Sequence, residues 1–382
     1  MQRHEMQMLI GADERLDHQT PETFANVSQS DLSWTEKIFS MMFPPDARIQ
    51  VFSGLGKYTN RNMMDMYAGF SRGKEQWTVR AARRLDEDPD RIGVGPFDFH
   101  IVEPLKKVRF ELRENDVLPF KFDYTCTGNS PCYLEFADWQ REPVGFRISS
   151  DLQRYHQAIA IEGWYEIDGE RTEFSDEWMG FRTHSWGVRM DVGEPPKDVH
   201  VPDRLTSNFF FLWGPWSMQR PDGTPFTMIT HLQEVDGEVT YFNGLEEHPD
   251  GSQKSYYGLK HELEFDKVNR RLLGGKLHFD TGWGQVHSFT VEPVSDTGLH
   301  YGPALYFGFK GRRHGTWIGD YLEDGEIYKD CTTPEAAREL HQMQDRIVRI
   351  HDEEGNTGYG SLETIVTGVF PELGLTEESS YL

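Results

Sequence analysis

Residues 164–174 read Trp164-Tyr-Glu-Ile167-Asp168-Gly169-Glu170-Arg-Thr-Glu-Phe174. An Asp-Gly pair between two short runs of this kind favours the tight two-residue turn of a β-hairpin, because both turn residues need positive φ angles. The same signal recurs in the second half of the chain, where Asp222-Gly223 and Asp236-Gly237 bracket residues 226–234. These turns predict antiparallel hairpins in both halves of the protein.

Apolar and polar residues alternate along many other segments, which is the pattern of strands with one buried face. Gly274-Gly275 is expected to form the turn between strands 270–273 and 276–279, and helical patterns are confined to 31–43 and 333–343. Many strands at roughly ten-residue spacing predict an all-β fold of antiparallel barrels or sandwiches with a few short helices. The other predicted strands are 77–83, 108–112, 120–124, 239–242, 301–310 and 359–370.

The length of 382 residues predicts two domains, because single cores rarely grow beyond about 250–300 residues. Residues 191–204 contain three prolines and no apolar period, and we expect the linker there. The predicted division is listed from the N-terminus: an arm with a short helix at 1–48, a first β-domain at 49–195, a second at 196–372 and a tail at 373–382.

Charge and cysteine usage narrow the class of protein. The formal net charge of −24 argues against nucleic acid as a partner and disfavours an anionic membrane surface. No run of 18 apolar residues predicts a membrane span, and residues 1–8 lack the apolar core of a signal peptide. Cys126, Cys132 and Cys331 cannot all pair and show no Cys-x-x-Cys spacing. A cytoplasmic protein with reduced thiols is therefore expected.

The segment 178–189 carries the densest chemistry of the chain, with the sequence Trp-Met-Gly-Phe-Arg-Thr-His-Ser-Trp-Gly-Val-Arg. If the segment is a strand, His184 and Trp186 lie on one face, because side chains alternate between the two faces. A titratable imidazole beside an aromatic wall suits proton transfer on an apolar substrate, and Arg189 could anchor a polar end of it. The alternative is that both side chains are ordinary residues packed in a core.

Other candidate site residues come from four further segments. Tyr155 could donate a hydrogen bond, or simply pack. The aromatic run 208–216 could form a pocket wall with Trp213 and Trp216, or a plain core strand. His314 and Trp317 could contact substrate, or pack in a turn. Glu363 is a carboxylate inside an apolar strand, and burial would raise its pKa and make it an acid.

The sequence predicts no cofactor and no metal. No Gly-x-Gly-x-x-Gly motif follows a strand and no phosphate-binding Gly-x-x-x-x-Gly-Lys motif is present. The 15 histidines show neither His-x-His nor His-Glu-x-x-His spacing. Ligands that converge only in the fold, as in a cupin-like metal-dependent oxygenase, remain an alternative.

Four stretches of the chain share one resemblance: the 178–189 segment, Val102-Glu-Pro-Leu105, Arg154-Tyr155-x-Gln157 and Gly358-Tyr-Gly-x-Leu-Glu363 with Gly368. Together they resemble the tandem lipocalin-like superfamily of the carotenoid 1,2-hydratases. The superfamily also includes AttH-type proteins, kievitone-hydratase-like enzymes and certain Diels–Alderases. The resemblance covers about residues 50–372 and looks closest to a bacterial branch in which an Asp often precedes the His, where this chain has Thr183.

The resemblance implies two calycin-type barrels in tandem with an apolar cavity between or within them. In the carotenoid hydratases a His-x-Trp pair is followed on the next strand by a Tyr-x-Asp pair whose Asp protonates the alkene. His184 and Trp186 match the first pair, whereas Phe211-Leu212-Trp213 stands in place of the second. The missing carboxylate leaves the identity of the acid open.

The sequence therefore predicts a cofactor-independent lyase or isomerase that acts on an apolar terpenoid, steroid-like or phenolic substrate. His184 is the expected proton carrier, with Tyr155 and Glu363 as further acid–base candidates. Trp186, Trp213 and Trp216 would form the wall, since aromatic faces stabilise developing positive charge. The alternative function is a lipocalin-like carrier of a lipophilic molecule. A homodimer is compatible with the aromatic-rich strands.

Overall fold

The computed structural model describes residues 9–18, 29–85, 91–135, 137–141, 148–194, 197–198, 208–340 and 343–380. Two curled antiparallel sheets account for most of these residues, which confirms the all-β prediction. None of the helices in this part of the chain has the length and apolar character that crossing a membrane requires.

The first sheet runs in the order β22-β4-β3-β2-β1-β13-β11-β8-β7-β6-β5, and β9, β10 and β12 pair with β11. Its strands are β1 (Trp34–Phe43), β2 (Gln50–Tyr58), β3 (Met63–Arg72), β4 (Glu75–Arg84), β5 (Gly93–Val94), β6 (Phe97–Glu103), β7 (Lys107–Leu112), β8 (Phe120–Gly128), β9 (Tyr133–Leu134), β10 (Asp138–Arg141), β11 (Ile148–Ile167), β12 (Glu170–Glu173), β13 (Met179–Val188) and β22 (Tyr321–Tyr328).

The second sheet runs in the order β17-β16-β15-β14-β24-β23-β20-β19-β18, and β21 pairs with β23. Its strands are β14 (Phe209–Gln219), β15 (Pro225–Val235), β16 (Glu238–Glu247), β17 (Gln253–Ser255), β18 (Gly258–Phe265), β19 (Leu272–Gly282), β20 (Gln285–Pro293), β21 (Leu299–His300), β23 (Gln344–Asp352) and β24 (Thr357–Thr367). The helix α1 (Pro334–Leu340) lies inside the predicted 333–343 segment. Short 3₁₀ turns are Gly11–Glu14, Thr59–Arg61, Gly302–Ala304, Pro371–Leu373 and Glu377–Ser379.

Three predictions of local structure were wrong. Residues 31–43 contain strand β1 rather than a helix; both of its faces are buried, so apolar residues occur at helical as well as alternate spacing. Gly274-Gly275 lies within β19 rather than in a turn, where a Cβ on Gly275 would stand 2.1 Å from the Glu262 carbonyl oxygen. Residues 301–310 form a 3₁₀ turn and loop, in which Leu305 and Phe307 have positive φ.

The hairpin predictions were confirmed. Asp168-Gly169 joins β11 to β12, Asp222-Gly223 lies between β14 and β15, and Asp236-Gly237 lies between β15 and β16. These turns were predictable because the signal is local. Residues 195–196 and 199–204 of the expected linker lie outside the described residues.

Because side chains alternate between the two faces of each strand, the buried apolar residues of the described sheets form three main layers. The first sheet curls around a core that includes Ile38 and Leu55, and the second around a core that includes Leu212 and Trp216. The third layer lies between the two sheets and contains Phe39, Phe181, Trp213 and others. On β1, Ile38 therefore faces the first core whereas Phe39 faces the second sheet.

Strand β22 returns from the second half of the sequence to the edge of the first sheet, where it pairs with β4. Arg80 on β4 is nearly buried and donates hydrogen bonds to Asp324 (3.0 Å) and to Glu326 on β22. The loop that precedes β22 lies against the first sheet, because Gly315 donates a backbone hydrogen bond to Asp65 (3.1 Å). The first sheet is thus completed by a distant part of the chain.

Candidate functional site

His184 lies on β13 with its side chain on the inner face of the first sheet, and it is fully buried. Its Nε2 is 3.4 Å from Glu36 Oε2, and its ring centroid is 5.3 Å from that of Trp186. His184 and Trp186 therefore lie on the same face of β13, as the alternation of side chains predicted. Glu36 is supplied by the neighbouring strand β1, directly opposite Trp186.

The N-terminal segment, residues 9–18, covers this group. His18 stacks on Trp186 with ring centroids 3.8 Å apart, and its Nδ1 is 3.1 Å from Glu36 Oε2. The backbone N–H of His18 also donates a hydrogen bond to Glu36 Oε1 (2.6 Å). Two imidazoles and one carboxylate thus meet on the inner face.

Tyr155 lies beside this group on β11, opposite His184. Its hydroxyl donates a hydrogen bond to Glu14 (2.7 Å), and Arg182 binds the same carboxylate through two hydrogen bonds of 2.6 and 2.8 Å. Burial alone would raise the pKa of Glu14, but Arg182 and Tyr155 hold that pKa below its usual value. The Tyr155 hydroxyl is therefore engaged in fixing the N-terminal segment.

A second group lies on the other side of the first sheet, between the two sheets. Asp345, Glu363, Trp213 and His231 form one row across β23, β24, β14 and β15, each directly opposite the next. Directly opposed residues of antiparallel strands point to the same face. The row therefore presents two carboxyl groups, an indole and an imidazole toward the first sheet.

Burial decides the chemistry of the two carboxyl groups. Glu363 is 6% exposed and makes no hydrogen bond or ion pair with any described residue. Burial, reinforced by the adjacent Asp345, raises the pKa of Glu363 well above its usual range. Burial also raises the pKa of Asp345 to about 7, although Tyr301 (2.8 Å) and Ser361 donate hydrogen bonds to it. Burial and Asp345 thus favour the protonated form of Glu363.

Basic side chains face this row from the first sheet. The Lys37 side-chain nitrogen is buried, lies 3.9 Å from the centre of the Tyr306 ring and has no hydrogen-bond partner among the described residues. The Arg189 guanidinium lies 5.6 Å from the same ring. Burial and the nearby Arg189 hold the pKa of Lys37 well below its usual range. These groups could bind a polar end of a substrate.

Glu135 forms a third buried polar centre in the same layer. Its carboxylate is 2.6 Å from His156 Nε2 and 3.2 Å from Arg154, and the Trp213 indole donates to it at 3.4 Å. Burial alone would raise the pKa of Glu135, but His156 and Arg154 hold it well below its usual range. This ionised carboxylate fixes the ring of Trp213 beside Glu363.

A narrow cleft opens into the layer between the sheets, with walls that include Phe43, His156, Phe181 and Tyr359. It has room for about one water molecule. Trp213 packs against two of the cleft residues, since its ring centroid is 5.2 Å from those of His156 and Phe181. A larger substrate would require the two sheets to separate at this point.

The remaining predicted site residues are distributed between the layers. Trp216 is fully buried in the second core, and its indole donates to the Ser361 carbonyl (2.9 Å). His314 lies between the sheets beside Tyr306, with ring centroids 4.4 Å apart, and burial and Lys37 lower its pKa to about 3. Trp317 is 51% exposed on the surface.

The structure thus separates most of the predicted residues into two groups and leaves Trp216 and Trp317 outside both. His184, Trp186 and Tyr155 occupy the inner face of the first sheet, whereas Glu363, Trp213, Arg189 and His314 belong to the layer between the sheets. Lys37 and Asp345 are functional candidates that sequence reasoning missed. The signal that identified Glu363, a charged residue within an apolar strand, is also present at Lys37 in residues 34–43.

Comparison with known proteins identifies the family. A family profile described as a family of unknown function (DUF8625) matches residues 11–376. The chain belongs to this family. No curated protein matches the sequence. The residues that match the DUF8625 profile, 11–376, include strands of both sheets.

Solved structures identify the fold of this DUF8625 chain. A protein described as AttH from Nitrosomonas europaea aligns with a TM-score of 0.52 and 11% identity, covering 88% of this chain and 94% of that one. Kievitone hydratase from Nectria haematococca aligns with a TM-score of 0.48 and 9% identity, covering 94% and 93%. CghA with Sch210972 aligns with a TM-score of 0.47 and 9% identity, covering 87% and 88%. The likeness to the AttH structure supports the fold alone, and that fold agrees with the all-β architecture that the sequence predicted.

Proposed function

We propose that this protein is an enzyme of the lyase or isomerase kind, in which Glu363 transfers a proton to an apolar substrate held between the two sheets. The observation that carries the proposal is the burial and position of the Glu363 carboxyl group. Its carboxyl group is buried, makes no hydrogen bond or ion pair with a described residue and lies directly opposite Trp213. A carboxylic acid kept neutral by an apolar site can act as a proton donor at neutral pH.

The resemblance to the carotenoid hydratases supports the same assignment. That family has a carboxylate at the position that Trp213 occupies here. Because Glu363 is the cross-strand partner of Trp213, the neighbouring strand β24 supplies a carboxyl group within one strand spacing of the missing one. With the carboxyl group on β24 instead of β14, the site would keep its acid, and Trp213 on β14 would add an aromatic ring beside it.

Hydration of an alkene at this site needs no cofactor, because every proton that Glu363 donates is returned by the attacking water. The Glu363 carboxyl proton adds to one alkene carbon, water attacks the resulting cation at the other carbon, and a proton from that water returns to the Glu363 carboxylate. Dehydration is the reverse, and loss of a different substrate proton to Glu363 gives an isomer. The Trp213 face would stabilise the cation.

The surroundings of Glu363 indicate the substrate class. The layer between the sheets is rich in aromatic rings, which suits a terpenoid, steroid-like or phenolic skeleton. Lys37 and Arg189, near the Tyr306 ring, would hold a polar end of that skeleton. The three cysteines carry free thiols, which supports the cytoplasmic location. A homodimer and the role of His184 as proton carrier stay predictions.

The test is mass spectrometry of the full chain incubated with a terpenoid, steroid and phenol library in ¹⁸O-labelled water. We expect one compound to gain labelled water, lose water or isomerise with the wild type and with the control Glu264→Gln, which changes an exposed residue of β18. Glu363→Gln should give no product. A ligand retained unchanged by the wild type would instead establish a carrier, and product formation by Glu363→Gln would exclude Glu363 as the donor.

A further inference from the structure

We propose that His18, Glu36 and His184 form a binding site for a divalent transition metal ion. One ligand atom from each residue lies within 4.8 Å of the other two. His18 Nδ1 and His184 Nε2 are 3.1 and 3.4 Å from the same carboxylate atom, Glu36 Oε2. Ligands bound at about 2.0–2.2 Å around one ion stand roughly 3–4 Å apart, so these separations fit a shared ion.

The donor set selects the class of ion. Two imidazole nitrogens and one carboxylate oxygen form the ligand set of zinc enzymes and of non-haem iron sites that keep open positions. Hard ions such as Ca²⁺ and Mg²⁺ prefer a shell of oxygens. The site is therefore matched to Zn²⁺, Co²⁺, Fe²⁺ or Mn²⁺.

Neighbouring groups hold the ligands in the required orientation. Asp13 Oδ1 is 3.5 Å from His18 Nε2, on the side of the ring opposite the ligand atom. Carboxylate–histidine–metal arrangements of this kind fix the tautomer and orientation of the ring. The Trp186 ring stacks on the face of the His18 imidazole, with ring centroids 3.8 Å apart. The His18 backbone N–H holds Glu36 Oε1 and leaves Oε2 toward both imidazoles.

Charge balance gives an independent reason for a cation here. Glu36 is 1% exposed, and in the described part of the chain its ion pairs are with the two histidines and not with a lysine or arginine. Arg182, on the same face of the sheet, is already bound to Glu14. A buried carboxylate is costly unless a positive charge compensates it. A bound metal ion would supply the positive charge at the point where the three ligands converge.

The three ligands come from three parts of the chain: the N-terminal segment, β1 and β13. A bound ion would therefore tie residues 9–18 to the first sheet. The site lies on the inner face, away from Glu363, and does not depend on the proposed proton transfer. Its role is to stabilise the fold.

The test uses the full chain, treated with a chelator, dialysed and then incubated with Zn²⁺ or Co²⁺. We expect about one ion per chain by elemental mass spectrometry, a raised melting temperature and visible absorption bands of Co²⁺ with nitrogen ligands. His18→Gln should weaken binding at least tenfold, whereas His100→Gln, an exposed histidine on β6, should bind like the wild type.

A second variant distinguishes loss of metal binding from failure to fold. Asp13→Asn leaves all three ligands in place but removes the carboxylate behind His18, and loss of such a partner costs about 10–100-fold in metal affinity. The proposal fails if the wild type binds no ion at tens of micromolar metal. It also fails if both His18→Gln and Asp13→Asn bind as tightly as the wild type.

Discussion

Glu14 and Arg182 form a bidentate ion pair in which neither side chain is exposed to solvent. The two residues are 168 positions apart in the sequence, so the pair exists only when the N-terminal segment lies on β13. The Leu105 backbone N–H and the Tyr155 hydroxyl also donate to Glu14. Every oxygen of this buried carboxylate is therefore satisfied.

Replacing Glu14 with Gln should destabilise the protein by about 3–5 kcal/mol, because it leaves the buried Arg182 charge without a counter-charge. Urea unfolding followed by tryptophan fluorescence measures the loss. Glu103→Gln, at a half-exposed glutamate, should change stability by no more than about 0.5 kcal/mol. A loss below about 1 kcal/mol for Glu14→Gln would show that water reaches Arg182.

Replacing Glu363 with Gln should lower kcat about 10²–10⁴-fold, the usual contribution of a general acid. The free energy of unfolding should change by less than about 1 kcal/mol, because Glu363 makes no hydrogen bond or ion pair with a described residue and its raised pKa favours the neutral form. Steady-state kinetics and urea unfolding of the same preparation give both values. Equal loss of activity and stability would assign Glu363 a structural role.

The pH–rate profile should fall on the alkaline side, because the active form of Glu363 is protonated. Burial and the adjacent Asp345 raise the pKa of Glu363. Asp345→Asn removes one source of that increase, so the alkaline fall of kcat/KM should move to lower pH. An unchanged profile in Asp345→Asn would mean that the two carboxyl groups titrate independently.

Stability should also depend on pH through Asp345, whose pKa burial raises to about 7. The folded state then retains a proton that the unfolded chain releases near pH 4. This group therefore favours folding below about pH 4 and loses that contribution as the pH rises to 7. At about 1.4 kcal/mol per pH unit, the loss between pH 5 and 7 is about 3 kcal/mol.

Asp345→Asn should lack this contribution. Urea unfolding at pH 5, 6 and 7 would show the wild type losing stability relative to Asp345→Asn as the pH rises. A constant difference between the two proteins over this range would indicate that Asp345 is ionised at pH 5 in the folded state.

Replacing Trp317 with Ala should change turnover by less than about threefold and stability by no more than about 0.5 kcal/mol, because the side chain is half exposed. Trp213→Ala should cost about 3–5 kcal/mol of stability and abolish turnover, since that ring is buried beside Glu363. A strong loss of substrate affinity in Trp317→Ala would restore Trp317 to the binding site that the sequence predicted.

Local signals were the predictable part of the fold. The Asp-Gly turns and the alternation in residues 178–189 depend on neighbouring residues, and both hold in the structure. Strand β1 was misassigned because burial on both faces removes the alternation on which strand prediction depends. The loop 301–310 was misassigned because Tyr301 and Tyr306 face the layer between the sheets without forming a strand.

The site was only partly predictable for the same physical reason. Glu363 was identified because a carboxylate in an apolar strand indicates burial. Its partner Asp345 and the facing Lys37 reach it through strand pairing and sheet packing, which no sequence spacing encodes. His18, Glu36 and His184 meet in the same way, across 148 positions between Glu36 and His184.

Strand β22 has a consequence for the order in which the protein can mature on the ribosome. Arg80 is synthesised early, yet its acidic partners Asp324 and Glu326 belong to the last fifth of the chain. Until residue 328 has left the exit tunnel, β4 presents an open edge to any strand that it meets. The edge of β4 is therefore exposed to mispairing for most of translation, and a chaperone that shields β4 would act in that interval.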